Sequence, residues 1–145
     1  MTSGIVVRTA TPNDAPALAP LLGELGYPVD GATLVDRMNR LVGREDDTVL
    51  IAEDERGALG LLALHVFPLL AYDCDVGMIM ALVVTERARG TGVGRRLIDR
   101  AEDVARSAGA SRLLVTTHNR RADAHTFYER LGFEFTGRRY VRPIR

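Results

Sequence analysis

The sequence contains no lysine; all nineteen of its basic residues are arginine. That absence excludes a lysine Schiff base, a lysine nucleophile and the lysine of a G-x-x-x-x-G-K-[ST] phosphate loop. Tryptophan is missing as well, and the single cysteine, Cys74, excludes an internal disulfide and a multi-cysteine zinc site. One thiol fits a reducing compartment. Three scattered histidines do not build a metal site. Nineteen acidic residues balance the arginines, so no net charge points to nucleic acid or an anionic membrane surface. Long apolar runs are absent too. The most apolar stretch, residues 58–72, is broken by His65 and Pro68 and falls short of the ~18–20 residues a spanning helix needs. Residues 1–12 carry neither the cationic nor the apolar part of a secretory leader, and the expected location is cytoplasmic.

What is present has the composition of an ordinary globular chain: 145 residues, 46% hydrophobic and 26% charged. The length predicts one domain over residues 1–145, with no repeat, linker or low-complexity tract to divide it.

Ile5-Val6-Val7 reads as a short strand. A helix follows, with Thr11 as N-cap, Pro12 in the first helical position and Asp14 three residues after the cap. Ala15, Leu18, Leu22 and Leu25 recur at helical spacing until Gly26-Tyr27-Pro28. Asp30 caps a second helix, with Leu34, Met38, Leu41 and Val42 on one face and Gly43 at its end; residues 44–47 form an acidic loop. Residues 48–53 and 59–67 predict a hairpin across Glu55-Arg56-Gly57, and residues 76–84 a third apolar strand. These strands are apolar at nearly every position, as a sheet covered on both faces requires. After a glycine-rich turn, Leu97, Ile98, Ala101, Val104 and Ala105 share one helical face. A strand (112–117), a helix (122–131, stopped by Gly132) and a final strand (133–141) complete the chain. The order β-α-α-β-β-β-α-β-α-β is a mixed α/β pattern.

The chemistry concentrates in Arg89-Gly90-Thr91-Gly92-Val93-Gly94-Arg95, set between a strong strand and a strong helix. Glycine there permits positive φ and removes side chains, so several backbone N–H groups can converge on one anion. The helix dipole adds to the attraction, and Arg89, Arg95 and Arg96 supply forked donors suited to phosphate. A dinucleotide fingerprint needs G-x-G-x-x-G and an acid ~20 residues on. The spacing here is G-x-G-x-G, and no acid stands near Ala110.

Arg89, Gly92 and Gly94 resemble, position for position, the [Q/R]-x-x-G-x-[G/A] acetyl-CoA loop of the GNAT superfamily of N-acetyltransferases. Leu82-Val83-Val84 is similar to the strand that leads into that loop. Ala124 to Phe133 (AHTFYERLGF) resembles the family's closing A-x-x-x-Y-E-[K/R]-x-G-F, and Arg8 to Asp14 its opening strand and helix start. FYERLGF alone is weak, since Phe127, Leu131 and Phe133 at that spacing suit a core; paired with the loop upstream it becomes specific.

The resemblance implies a GNAT-like α/β (α+β) fold, with a mostly antiparallel sheet of six to seven strands and helices on both faces. It implies acetyl-CoA as cosubstrate and no metal. The cofactor would be held by Leu82, Val83, Val84, Arg89, Gly90, Thr91, Gly92, Val93, Gly94 and Arg95, with Asn119 and Tyr128 contributing. Tyr128 would protonate the departing thiolate, and a phenol of pKa ~10 is protonated at neutral pH. The partner would be a small-molecule or peptide amine, not a nucleic acid or a membrane, and a homodimer is compatible with the resemblance. Glu24, Tyr27 and Asp30 fall where the family's acceptor groove forms.

The chain departs from the family pattern in two places. The strand 76–84 carries Met78 and Met80 and no acid, leaving the general base unassigned; Arg121 stands seven residues before Tyr128, where the family often has Asn. The missing acid supports the rival reading, a CoA-binding sensor or partner-binding module with weak catalysis. His65 in an apolar strand reads as a hydrogen-bonded structural residue, and Asp73 and Asp75 as a loop that could line an amine pocket.

Overall fold

The computed structural model describes residues 4–116, 122–137 and 140–144. The chain divides into two compact units, Met1–Leu114 and Val115–Arg145.

The first unit is built on a sheet of order β1-β2-β3-β4-β5: β1 (Val6–Thr9), β2 (Asp47–Asp54), β3 (Gly57–Pro68), β4 (Asp75–Val84) and β5 (Ala110–Val115). β1 to β4 pair antiparallel in succession. From β2 to β4 short connections favour this arrangement, because sequential strands joined by a short turn or loop fold back on each other. Helices α1 (Ala15–Leu25) and α2 (Gly31–Leu41) cover one face, with Leu18, Leu21, Leu34 and Met38 packed on Ile51, Leu61 and Val83. Helix α3 (Val93–Ser107) covers the other face, where glycines make room for it. A Cβ on Gly60 would sit 3.0 Å from Leu97 Cδ1, and one on Gly77 would sit 3.0 Å from Ala105 Cβ.

The local signals do what their chemistry predicts. Thr11 N–H donates to Asp14 Oδ2 at 2.8 Å, opening a short 3-10 turn (Pro12–Asp14) that runs into α1. Arg8 ties this corner together, reaching Asp14 Oδ1 at 2.8 Å and Glu53 Oε1 at 2.7 Å. Asp30 accepts from Thr33 N–H at 2.7 Å and caps α2. His65 Nδ1 lies 2.9 Å from Asp47 Oδ1, with its ring stacked on Phe67, which gives it a structural place.

The register of β3 on β4 shifts at one point. Ala63 pairs with Ala81 and Leu64 with Ile79, so Met80 is an extra residue in β4, 61% exposed. Ala81 and Val83 face the α1/α2 side, whereas Gly77 lies against Ala105 of α3. Without the bulge these odd-numbered residues would share one face.

The mixed α/β fold stands as expected, with one correction to the strand count. The sheet has five strands among the described residues, not six or seven. Residues 133–137 and 140–141, read from sequence as a final strand, form no ladder among the described residues. A run of aromatic and β-branched residues does not supply a partner strand, and Phe135, Tyr140 and Val141 are largely exposed. Smaller differences sit at element ends. β1 runs one register later than Ile5 to Val7, and Leu21 rather than Leu22 joins Ala15 and Leu18 on the buried face of α1. Val42, placed on the apolar face of α2, follows the helix and is 58% exposed. No helix among the described residues is long and apolar enough to cross a membrane.

Candidate functional site

The glycine turn is the continuation of β4. Thr85 N–H still bonds Leu59 O at 2.8 Å, and the chain then winds through a 3-10 turn (Glu86–Ala88) anchored by buried Ala88. Thr91 folds back on the carbonyl of Ala88 through both its N–H and its hydroxyl. Gly90 and Gly92 have φ of 79° and 88°, the left-handed region that favours glycine. A Cβ at either position would meet no atom within 4 Å. Internal packing therefore does not demand these two glycines; the turn conformation does, and the space beside it is open.

Gly92 is also the N-cap of α3 and has no side chain with which to cap it. The first N–H groups of the helix, those of Val93, Gly94 and Arg95, have no intrahelical acceptor by helix geometry. The first turn holds no acidic residue. An anion placed there meets converging donors and the positive end of a fifteen-residue helix. The fit extends to the side chains. Val93 is 1% exposed and Val83 6%, so each can offer a ligand only its backbone. Gly94 is buried within the helix.

The arginines divide their work. Arg87 forms two hydrogen bonds to Asp54, at 3.1 and 3.2 Å, which hold the Asp54 carboxyl below the usual carboxylate range. Arg96 donates to Ile5 O at 3.0 Å. Arg89, expected to face phosphate, turns its Nε to Val84 O at 3.2 Å and its Nη2 to Glu24 at 3.4 Å. Among the described residues Arg95 makes no side-chain hydrogen bond or ion pair, which leaves its guanidinium available beside the turn.

Sequence reasoning did not find the role of Glu24. Its carboxylate accepts from Thr85 Oγ1 at 2.6 Å and from Glu86 N–H at 3.1 Å, besides meeting Arg89. No sequence signal marks this, since the partners lie more than sixty residues away. Asp30 is spent on capping α2, and Tyr27 is 63% exposed. A cleft of about 500 Å³ does open beside α1 and the start of α2, lined by Pro16, Ala19, Pro20, Gly23, Pro28 and Val29. Neither Glu24, Tyr27 nor Asp30 lines it.

In the second unit, helix α4 (Ala122–Arg130) places Tyr128. Phe133 N–H bonds Tyr128 O at 3.0 Å, and Gly132 N–H bonds Glu129 O at 3.1 Å, with Gly132 at φ 90°. This is a Schellman end, in which the residue two past the cap packs on the third from the last. Phe133 accordingly meets the Tyr128 ring edge-on at 5.5 Å, and Phe127 meets it at 5.3 Å. The spacing of tyrosine, glycine and phenylalanine in YERLGF is thus a helix stop that fixes the Tyr128 ring. The same bonding ends α1, where Tyr27 N–H bonds Leu22 O and Gly26 N–H bonds Gly23 O. Asn119 and Arg121 lie outside the described residues. Among the described residues no group of three or more His, Cys, Asp or Glu could hold a metal ion.

A bulged strand feeding a left-handed glycine turn and an uncapped helix defines an α/β domain equipped to seat an anionic ligand. The profile of the Acetyltransferase (GNAT) family matches residues 16–133, and the chain belongs to that family. It is 35% identical over 86 residues to an aminoalkylphosphonate N-acetyltransferase of Salmonella typhimurium, covering 59% of this chain and 56% of that protein. The chain thus spans just over half the length of that relative. It is 33% identical over 116 residues to an IAA acetyltransferase of Azospirillum brasilense, covering 80% of this chain and 71% of the other. Among solved structures, an aminoglycoside N-acetyltransferase in complex with CoA superposes with a TM-score of 0.88 at 17% identity, covering 100% of this chain and 97% of that one. At that identity the likeness is one of fold.

Proposed function

We propose that residues 1–145 act as one acetyl-CoA-dependent N-acetyltransferase domain that transfers an acetyl group to a primary amine by direct attack in a ternary complex. The observation that carries this reading is the open turn at Gly90 and Gly92 before the uncapped start of α3, in a chain of this family. The cosubstrate supplies an activated acetyl thioester; the chain supplies binding, alignment and a proton. The N–H groups of residues 92–95 and the Arg95 guanidinium hold the pyrophosphate, with Arg89, Gly90 and Thr91 shaping the turn. The backbone of Leu82, Val83 and Val84 pairs with the pantetheine amides, as a peptide adds to a strand. Asn119 is assigned a supporting contact.

The amine nitrogen attacks the carbonyl carbon, the C–S bond breaks, and Tyr128 gives its phenolic proton to the sulfur. β4 carries no acid beyond Asp75, so the amine proton leaves through water. Much of the rate then comes from alignment, because an amine and a thioester react without covalent help once positioned. Small amines bearing an anionic group are the first acceptors to try, a choice supported by the likeness to an aminoalkylphosphonate N-acetyltransferase.

The lack of an acid over residues 76–84 favours one alternative, a CoA-binding module without efficient catalysis. A thiol-release assay with acetyl-CoA across an amine panel separates the two. Release with at least one amine supports the enzyme; binding of acetyl-CoA without release from any amine supports the module.

A further inference from the structure

We infer that Glu24 is a positioning residue for the cofactor loop, setting acetyl-CoA affinity from outside the site; this rests on the acetyltransferase reading above. The carboxylate sits in the last turn of α1 and gathers three donors, all from the short joint between β4 and the glycine turn. Thr85 Oγ1 donates at 2.6 Å, Glu86 N–H at 3.1 Å and Arg89 Nη2 at 3.4 Å. Thr85 is the last residue bonded to β3, and Arg89 is the residue before Gly90. Glu24 therefore clamps the joint at both ends. The pair of Arg87 with Asp54 pins the same joint to the end of β2.

The need for such a clamp follows from the glycines. Gly90 and Gly92 in the turn each lose more backbone freedom on ordering than any other residue would there. If the joint were loose, that loss would fall on ligand binding; a joint fixed beforehand spares the affinity. Charge alone argues the opposite way. A carboxylate beside an anion's seat repels the anion and also engages Arg89, so an electrostatic role for Glu24 would make its removal tighten binding. The sign of the change separates positioning from charge.

The test is calorimetric titration of acetyl-CoA into the parent, Glu24→Ala, Glu24→Gln and Thr85→Val. Glu24→Ala is expected to raise Kd about tenfold, equivalent to about 1.4 kcal/mol. Glu24→Gln keeps an acceptor oxygen and should return Kd to within about threefold of the parent. Thr85→Val removes one donor without touching α1, and added to Glu24→Ala it should raise Kd no further, because the two share one contact. With an acceptor in hand, KM for acetyl-CoA should follow Kd while kcat stays within about twofold, the pattern of lost binding rather than lost chemistry. An unchanged or lowered Kd for Glu24→Ala overturns the inference, as does a fall in kcat with an altered pH profile. A parent that binds acetyl-CoA while all three variants match it overturns this inference alone. A parent that binds none overturns the function reading with it.

Discussion

Gly92 offers the sharpest test of the site, because the structure separates its conformational cost from its ligand role. Its φ is 88°, and a Cβ there meets nothing within 4 Å. Gly92→Ala therefore creates no clash with the protein and costs only the strain of a left-handed non-glycine residue, roughly 1–2 kcal/mol. At about 2–4 °C per kcal/mol for a chain of this size, Tm should fall by roughly 2–8 °C. Gly43 is the natural control, since its φ is 83°, its Cβ direction is equally open, and it lies between α2 and β2. Gly43→Ala should lower Tm by a similar amount. The variants should part company when acetyl-CoA is added. At a ligand concentration of 100 times Kd, the parent and Gly43→Ala should gain about 2.7 kcal/mol, or roughly 5–10 °C. Gly92→Ala should gain little, because its methyl group occupies the open space beside the turn. Thermal denaturation with and without ligand reads both effects in one experiment. If Gly92→Ala keeps the full ligand-induced shift, or Gly43→Ala loses it, the reasoning from the open turn is wrong.

Three further outcomes are expected. Tyr128→Phe keeps the edge-on contact with Phe133, so acetyl-CoA affinity should hold while kcat and kcat/KM fall together, near the lower end of the 10²–10⁴-fold typical of general acids; full activity on the best amine would remove Tyr128 from that role. Gly60→Ala forces a Cβ to 3.0 Å from both Leu97 Cδ1 and the Val83 carbonyl, and overpacking of this kind costs about 1–3 kcal/mol, visible as a shifted denaturant midpoint. The hydrogen bonds from Arg8, joined by the Thr11 N–H, hold the Asp14 carboxyl below its usual range. Its stabilisation is therefore complete above the unfolded value of about 3.9 and is lost as pH falls through the lower folded value. Asp14→Asn should cost about 1 kcal/mol at neutral pH, given the partial exposure of Arg8, and the gap from the parent should close in strong acid.

Much of this molecule was legible one segment at a time. The Thr11 and Asp30 caps, the stops at Gly26 and Gly132, the glycine turn and the apolar strands all appear where the sequence pattern places them. Each depends on bonds between residues a few positions apart, so its partners stand within one sequence window. The loop motif belongs to this group, because positive φ and orphan helix donors are properties of the turn itself.

Tertiary structure decided the rest. The bulge at Met80 exists only as a register between β3 and β4, and no residue type there announces it. Residues 133–141 read as a strand from sequence without forming a ladder among the described residues, since a strand is defined by its partner. The family resemblance puts Glu24 among the acids of the acceptor groove. Its actual partners, Thr85, Glu86 and Arg89, come from across the fold. A single hydrogen bond between distant residues leaves no periodic trace in the chain, because its geometry is set by how α1 packs on the sheet rather than by its neighbours in sequence.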